Sequence, residues 1–112
     1  MTVHVARAGE GVPFTPGADH HGVTPLRLHG GEAGPTDHLV VGRSSYAPGA
    51  RVDPGPVPAD TVYLVLEGSI DLVADGERLT LGPGDSAHLP AGTVRSISVG
   101  VHASTTLVVR AS

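Results

Sequence analysis

From Thr61 the chain runs Val62, Tyr63, Leu64, Val65, Leu66, Glu67 and halts at Gly68. The alternation ending on a glycine is that of a strand entering a tight turn. Residues 69–74 leave that turn as a second strand. Asp75 and Gly76 then supply a two-residue hairpin of the primed type, because aspartate and glycine tolerate positive φ. Residues 77–81 return, Gly82, Pro83, Gly84 and Asp85 break the chain, and residues 86–89 form another short strand before Pro90, Ala91 and Gly92. Short strands with turn chemistry at this spacing predict an antiparallel sandwich or barrel, and no stretch has helical periodicity.

The rest of the chain is compatible with that plan. Residues 1–22 read as an N-terminal arm and loop: Val3, His4 and Val5 alternate as a short edge strand, and the glycines and prolines of 9–22 break regular structure. Residues 23–112 are expected to form the barrel, with strands at 23–29, 38–46, 93–101 and 105–110. Pro48 and Gly49 predict a turn. Pro54, Pro56 and Pro58 remove backbone donors, so residues 51–58 are expected to be a stiff loop. At 112 residues and 39% hydrophobic content, one core in one domain is expected.

Composition excludes several chemistries. The chain has no cysteine, hence no disulfide, thiolate nucleophile or cysteine-ligated metal. All seven basic residues are arginine, so lysine Schiff bases are excluded. A net charge of -4 with the arginines scattered offers no footprint for nucleic acid. No apolar run approaches membrane-spanning length, and a cytoplasmic protein is the expectation.

Gly84, Pro90 and Gly92 have the spacing of the second motif of the cupin family, and Gly68 stands where the first motif closes, so the central half of the chain resembles a cupin. The resemblance implies an all-β, jelly-roll barrel in a single domain, with an N-terminal strand that pairs across a homodimer. It also places the family's metal ligands, three histidines and a glutamate, on Gly55, Val57, Thr61 and Arg95 of this chain. None of these can bind a metal as the family does, so neither metal nor other cofactor is expected.

The same resemblance points Thr61, Tyr63 and Arg95 into the barrel. An inward guanidinium needs an anionic partner, because an unpaired buried charge is costly. Arg95 therefore either pairs with a carboxylate such as Asp53 or Asp85, or clamps a ligand carboxylate or phosphate. Arg43 is a second candidate for that clamp. Asp19, His20 and His21 form the densest ionisable triplet, and His20, His21 or His88 is the candidate proton carrier, with Tyr63 as a hydrogen-bond donor. Asp85 is expected to fix its own turn.

These residues predict a cupin that binds a small, anionic molecule and performs metal-independent acid–base chemistry of lyase, isomerase or cyclase type. One alternative is a non-catalytic ligand-binding or sensory module. Another is a metal-dependent cupin with displaced histidine ligands, since imidazole suits several transition metals. Neither nucleic acid nor membrane is an expected partner.

Overall fold

A computed structural model describes residues 3–112. Met1 and Thr2, the start of the expected arm, lie outside the described residues. Among the described residues nine strands follow in order: β1 (Val12–Pro13), β2 (His20–His29), β3 (Leu39–Pro56), β4 (Thr61–Glu67), β5 (Ile70–Ala74), β6 (Glu77–Leu81), β7 (Ser86–Leu89), β8 (Val94–Ser98) and β9 (Ser104–Ala111). A 3-10 turn, Gly31–Ala33, lies between β2 and β3. The strands are hydrogen-bonded in the order β6-β5-β8-β3-β9-β4-β7, with β2 on the free edge of β3 and β1 on β2. The sheet wraps into a nearly closed jelly-roll barrel, as the turn pattern predicts.

The turns are where the sequence places them. Asp75 has φ 48° and Gly76 φ 83°, the geometry of a primed hairpin between β5 and β6. Gly68 has φ 71°, and a Cβ there would lie 2.5 Å from the Ala103 carbonyl, so glycine is required on both counts. Asp85 does hold its own turn: the Gly82 amide donates to Oδ2 at 2.9 Å.

β3 departs from expectation. Its first half, from Leu39 to Tyr46, pairs with β9; from Arg51 to Pro56 it pairs with β8. The proline–glycine pair expected to end the strand instead turns a corner within it: Gly49 has φ 76° and its amide donates to the Gly100 carbonyl at 2.8 Å. The expected stiff loop is ladder as far as Pro56. The register slips between Val52 and Gly55, so Pro54 sits in the irregularity and Pro56 at the strand's end, places where a missing donor is tolerated.

The N-terminal region differs too. β2 begins at His20 rather than after Gly22, because His20 pairs with Val52 and His21 with Arg51. Gly22, at φ 73°, absorbs the register shift that follows. Residues 3–5 form no strand; the first pairing is Val12 with Arg27.

Alternation sorts the faces. Thr61, Tyr63 and Val65 are buried, while Val62 and Leu64 are half-buried and Leu66 is exposed. The same rule buries Arg95, Ile97 and Val99 on β8 and the segment after it. Val65, Ile70 and Leu72 are the most enclosed members of the core. Other core residues, among them Tyr46, Val52, Tyr63 and Ile97, line a cavity in the barrel.

Candidate active site in the barrel cavity

The cavity has a volume of about 230 Å³. Its floor is buried and built from Tyr63, Arg95, Ile97, Val52 and Thr61. Its rim includes Phe14, Pro58, Arg27 and Arg110, all at least half-buried to exposed. The segment of Pro16 and Gly17 closes one side.

Arg95 points inward, as the resemblance implies, and is only 9% exposed. Its Nε donates to the Tyr63 hydroxyl at 3.2 Å, and Nη1 reaches the Gly55 carbonyl at 3.5 Å. Because Tyr63 accepts from Arg95, its own proton is free to be donated into the cavity. The carboxylate facing Arg95 is neither Asp53 nor Asp85. It is Asp19, whose Oδ2 lies 3.9 Å from Nη1. Asp53 is held elsewhere by His21 and Arg51, and Asp85 by its own turn.

Asp19 also holds His20, Oδ1 to Nδ1 at 2.8 Å. His20 lines the cavity, and with Nδ1 engaged its Nε2 is the ring nitrogen without a protein partner among the described residues. The backbone fixes this pair: the Asp53 amide donates to the Asp19 carbonyl at 2.9 Å, and the His20 amide to the Gly17 carbonyl at 3.0 Å. The hydrogen bond from His20 holds the Asp19 carboxyl below the usual carboxylate range, helped by the charges of His20 and Arg95 and opposed by partial burial. Tyr46, deep in the cavity wall, is pushed up to about 12, chiefly by burial, and stays neutral.

Other candidates lie outside the cavity lining. His21 follows His20 on the strand and turns to the opposite side, where Nε2 meets Asp53 Oδ2 at 2.9 Å. Asp53 is likewise held low, first by His21 and then by Arg51. His88 is exposed and pairs with Asp60 at 3.3 Å; its neighbours Ala87 and Leu89 are the inward residues of β7. Arg43 lies between Gly42 and Ser44, which line the cavity, so its own side chain belongs to the other face. Thr61 does line the cavity, with its hydroxyl donated to the Ala59 carbonyl at 2.8 Å.

Three residues that bear on the cavity were not singled out from sequence as site residues: Asp19, Arg27 and Arg110. The ionisable triplet was a signal for Asp19. For the arginines there was none short of strand register.

A family model described as a cupin domain matches residues 42–107. The chain belongs to the cupin family. This cupin is 46% identical over 78 residues to the Beta-D-galactosidase Rv1717 of Mycobacterium tuberculosis, a match covering 70% of this chain and 67% of that protein. Its fold is similar to that of the polyketide cyclase RemF from Streptomyces resistomycificus, with a TM-score of 0.83 and 24% identity over 99% of this chain and 80% of that one. It is also similar to the DMSP lyase DddQ from Ruegeria pomeroyi, with a TM-score of 0.73 and 25% identity over 80% of this cupin and 47% of that chain.

The family's metal-ligand positions converge in this cupin, but their side chains do not fit a metal. Val57, Thr61 and Arg95 line the cavity and Gly55 offers its carbonyl to the guanidinium. An alkyl group, a committed hydroxyl and a cation replace the donors that a divalent ion needs. Among the described residues no three His, Asp or Glu side chains gather closely enough to hold one.

Proposed function

We propose that the cavity binds a small polar molecule and carries out metal-independent acid–base chemistry on it, of lyase, isomerase or cyclase type. The observation that supports this most directly is the Asp19–His20 pair at 2.8 Å, set beside the Arg95–Tyr63 pair. Asp19 orients the imidazole so that Nε2 accepts a proton from the substrate, and it stabilises the imidazolium that results. Tyr63, steadied by Arg95, donates a hydrogen bond to the oxygen on which negative charge develops. A small molecule reaching from the rim to the floor of a 230 Å³ cavity meets both groups.

A second reading is galactoside cleavage, favoured by the 46% identity to a protein named as a β-D-galactosidase. Glycosidases ordinarily use two carboxylates. Here no carboxylate lines the cavity among the described residues; Asp19 touches the lining residues His20 and Arg95, so His20 or Tyr63 would have to stand in for a carboxylate.

The test is a turnover screen of untagged protein in chelator, with aryl β-D-galactosides in one arm and enolisable carboxylic acids in the other. Turnover that survives chelation and falls by about 10²–10⁴ in His20→Gln is expected. Turnover that needs an added divalent metal, or that His20→Gln leaves intact, overturns the proposal; cleavage confined to the galactosides selects the second reading.

A further inference from the structure

Arg27 of β2 and Arg110 of β9 lie on either side of the first half of β3. Arg27 is opposite Gly42, and Arg110 is opposite Val40, two residues along the same face. Both side chains line the cavity, together with Val40 and Gly42. Gly42 puts no side chain between them, and a Cβ there would lie 3.1 Å from the Leu26 carbonyl oxygen. Arg27 is braced by Phe14, whose ring centroid lies 4.5 Å from its guanidinium carbon.

Among the described residues, neither arginine pairs with a carboxylate. Among the described residues, ion pairs form at His20, His21, Arg51, His88 and Arg95, and none at Arg27 or Arg110. Burial, with the charge of Arg110 next, pushes the Arg27 guanidinium below its ordinary value, so the two cations feel one another. Two unpaired guanidiniums converging in a half-enclosed cavity are unfavourable unless an anion joins them. Arg95 has no such vacancy: Tyr63, Gly55 and Asp19 surround it.

We propose that Arg27 and Arg110 form an oxyanion site at the cavity rim, which holds the carboxylate or phosphate of the ligand. The planar forks of the two side chains suit either group. The site rests on the reading of the cavity as a ligand site and assigns its ligand to the acidic organic molecules. With the anion at the rim, the body of the ligand extends down toward His20 and Tyr63. The clamp is thus displaced from Arg95 and Arg43, where the sequence suggested it.

The test is titration of the full chain with inorganic phosphate and, separately, with acetate, at constant ionic strength, read by calorimetry and by the unfolding midpoint. Wild-type protein is expected to bind at least one anion. Arg27→Gln and Arg110→Gln should each weaken binding at least tenfold, the double variant should abolish it, and Arg43→Gln should leave it unchanged. In anion-free buffer the double variant should unfold close to wild type, since the repulsion it loses offsets the lost Phe14 contact and no ion pair is broken. Preference for phosphate or for acetate assigns the group. No binding by wild type, or equal binding by the double variant, overturns the site. Failure of the acid–base reading is a separate result: anion binding intact in a protein without turnover leaves the oxyanion site standing.

Discussion

Replacing Arg95 with methionine separates a structural guanidinium from a functional one. The residue is enclosed, yet its nearest carboxylate oxygen is 3.9 Å away and Asp19 keeps a 40% exposed side chain. At that distance the attraction is about 4 kcal/mol for an effective dielectric constant near 20. Removing a guanidinium from water costs several kcal/mol, so the pair comes close to breaking even. Methionine fills most of the aliphatic volume, and Asp19 retains water and His20 as partners. The expected stability change is therefore within about 1 kcal/mol of wild type, or about 5 °C in Tm for a domain of this size. Turnover should fall at least tenfold, by the estimate that misplacing a positioned group weakens catalysis severely, because Tyr63 loses the donor that orients it. Calorimetric unfolding at neutral pH reads the first quantity. A loss of roughly 3 kcal/mol or more, the range for breaking a tight buried pair, would refute the reasoning and make Arg95 a structural ion.

Gly17→Ala should change Tm little but displace the Asp19 carboxylate, because the new Cβ would sit 2.7 Å from Oδ1, a side-chain end that can rotate away at the cost of its bond to His20; NMR of the His20 imidazole should report the lost hydrogen bond, and an unchanged spectrum would contradict it. Gly68→Ala combines a left-handed backbone with a carbonyl clash, costing roughly 1–2 kcal/mol for the first and roughly 1–3 for the second. Gly76→Ala, at φ 83° with open space around it, shows only the backbone share, so equal Tm losses in the two variants would rule out the clash. Asp19 and Asp53 titrate below the unfolded carboxylate value near 3.9, so their stabilisation is present above that pH and fades as pH falls through the folded values. Thermal scans from pH 6 to 3 should therefore show an acid loss that shrinks in Asp19→Asn and Asp53→Asn; an undiminished loss in both would assign it to other groups.

Whatever depends on neighbouring residues was legible in the sequence. Side-chain alternation is a property of the extended backbone, so Thr61, Tyr63 and Val65 share one buried face, and the cupin resemblance said which face is inward for Thr61, Tyr63 and Arg95. Positive φ is likewise local, and Gly68, Asp75 and Gly76 announce their turns. Motif spacing carried the fold, and the same spacing identified the four positions from which metal donors are missing. Alternation could not choose between the two faces at His88, whose strand places it outward.

Tertiary structure decided what depends on register between distant strands. Residues 51–56 look like loop because three prolines lie near one another, yet β8 supplies partners and places Pro54 where its missing donor is tolerated. Asp19 reaches Arg95 only because its carbonyl is anchored to the Asp53 amide across β3. Arg27 and Arg110 are far apart in the chain and share the cavity because both pair with the first half of β3. A one-residue slip in either pairing would turn an arginine to the outer face. The sequence by itself determined the barrel and the absence of the family's metal donors; the closed sheet decided which charges share its cavity, because only pairing across strands sets those distances.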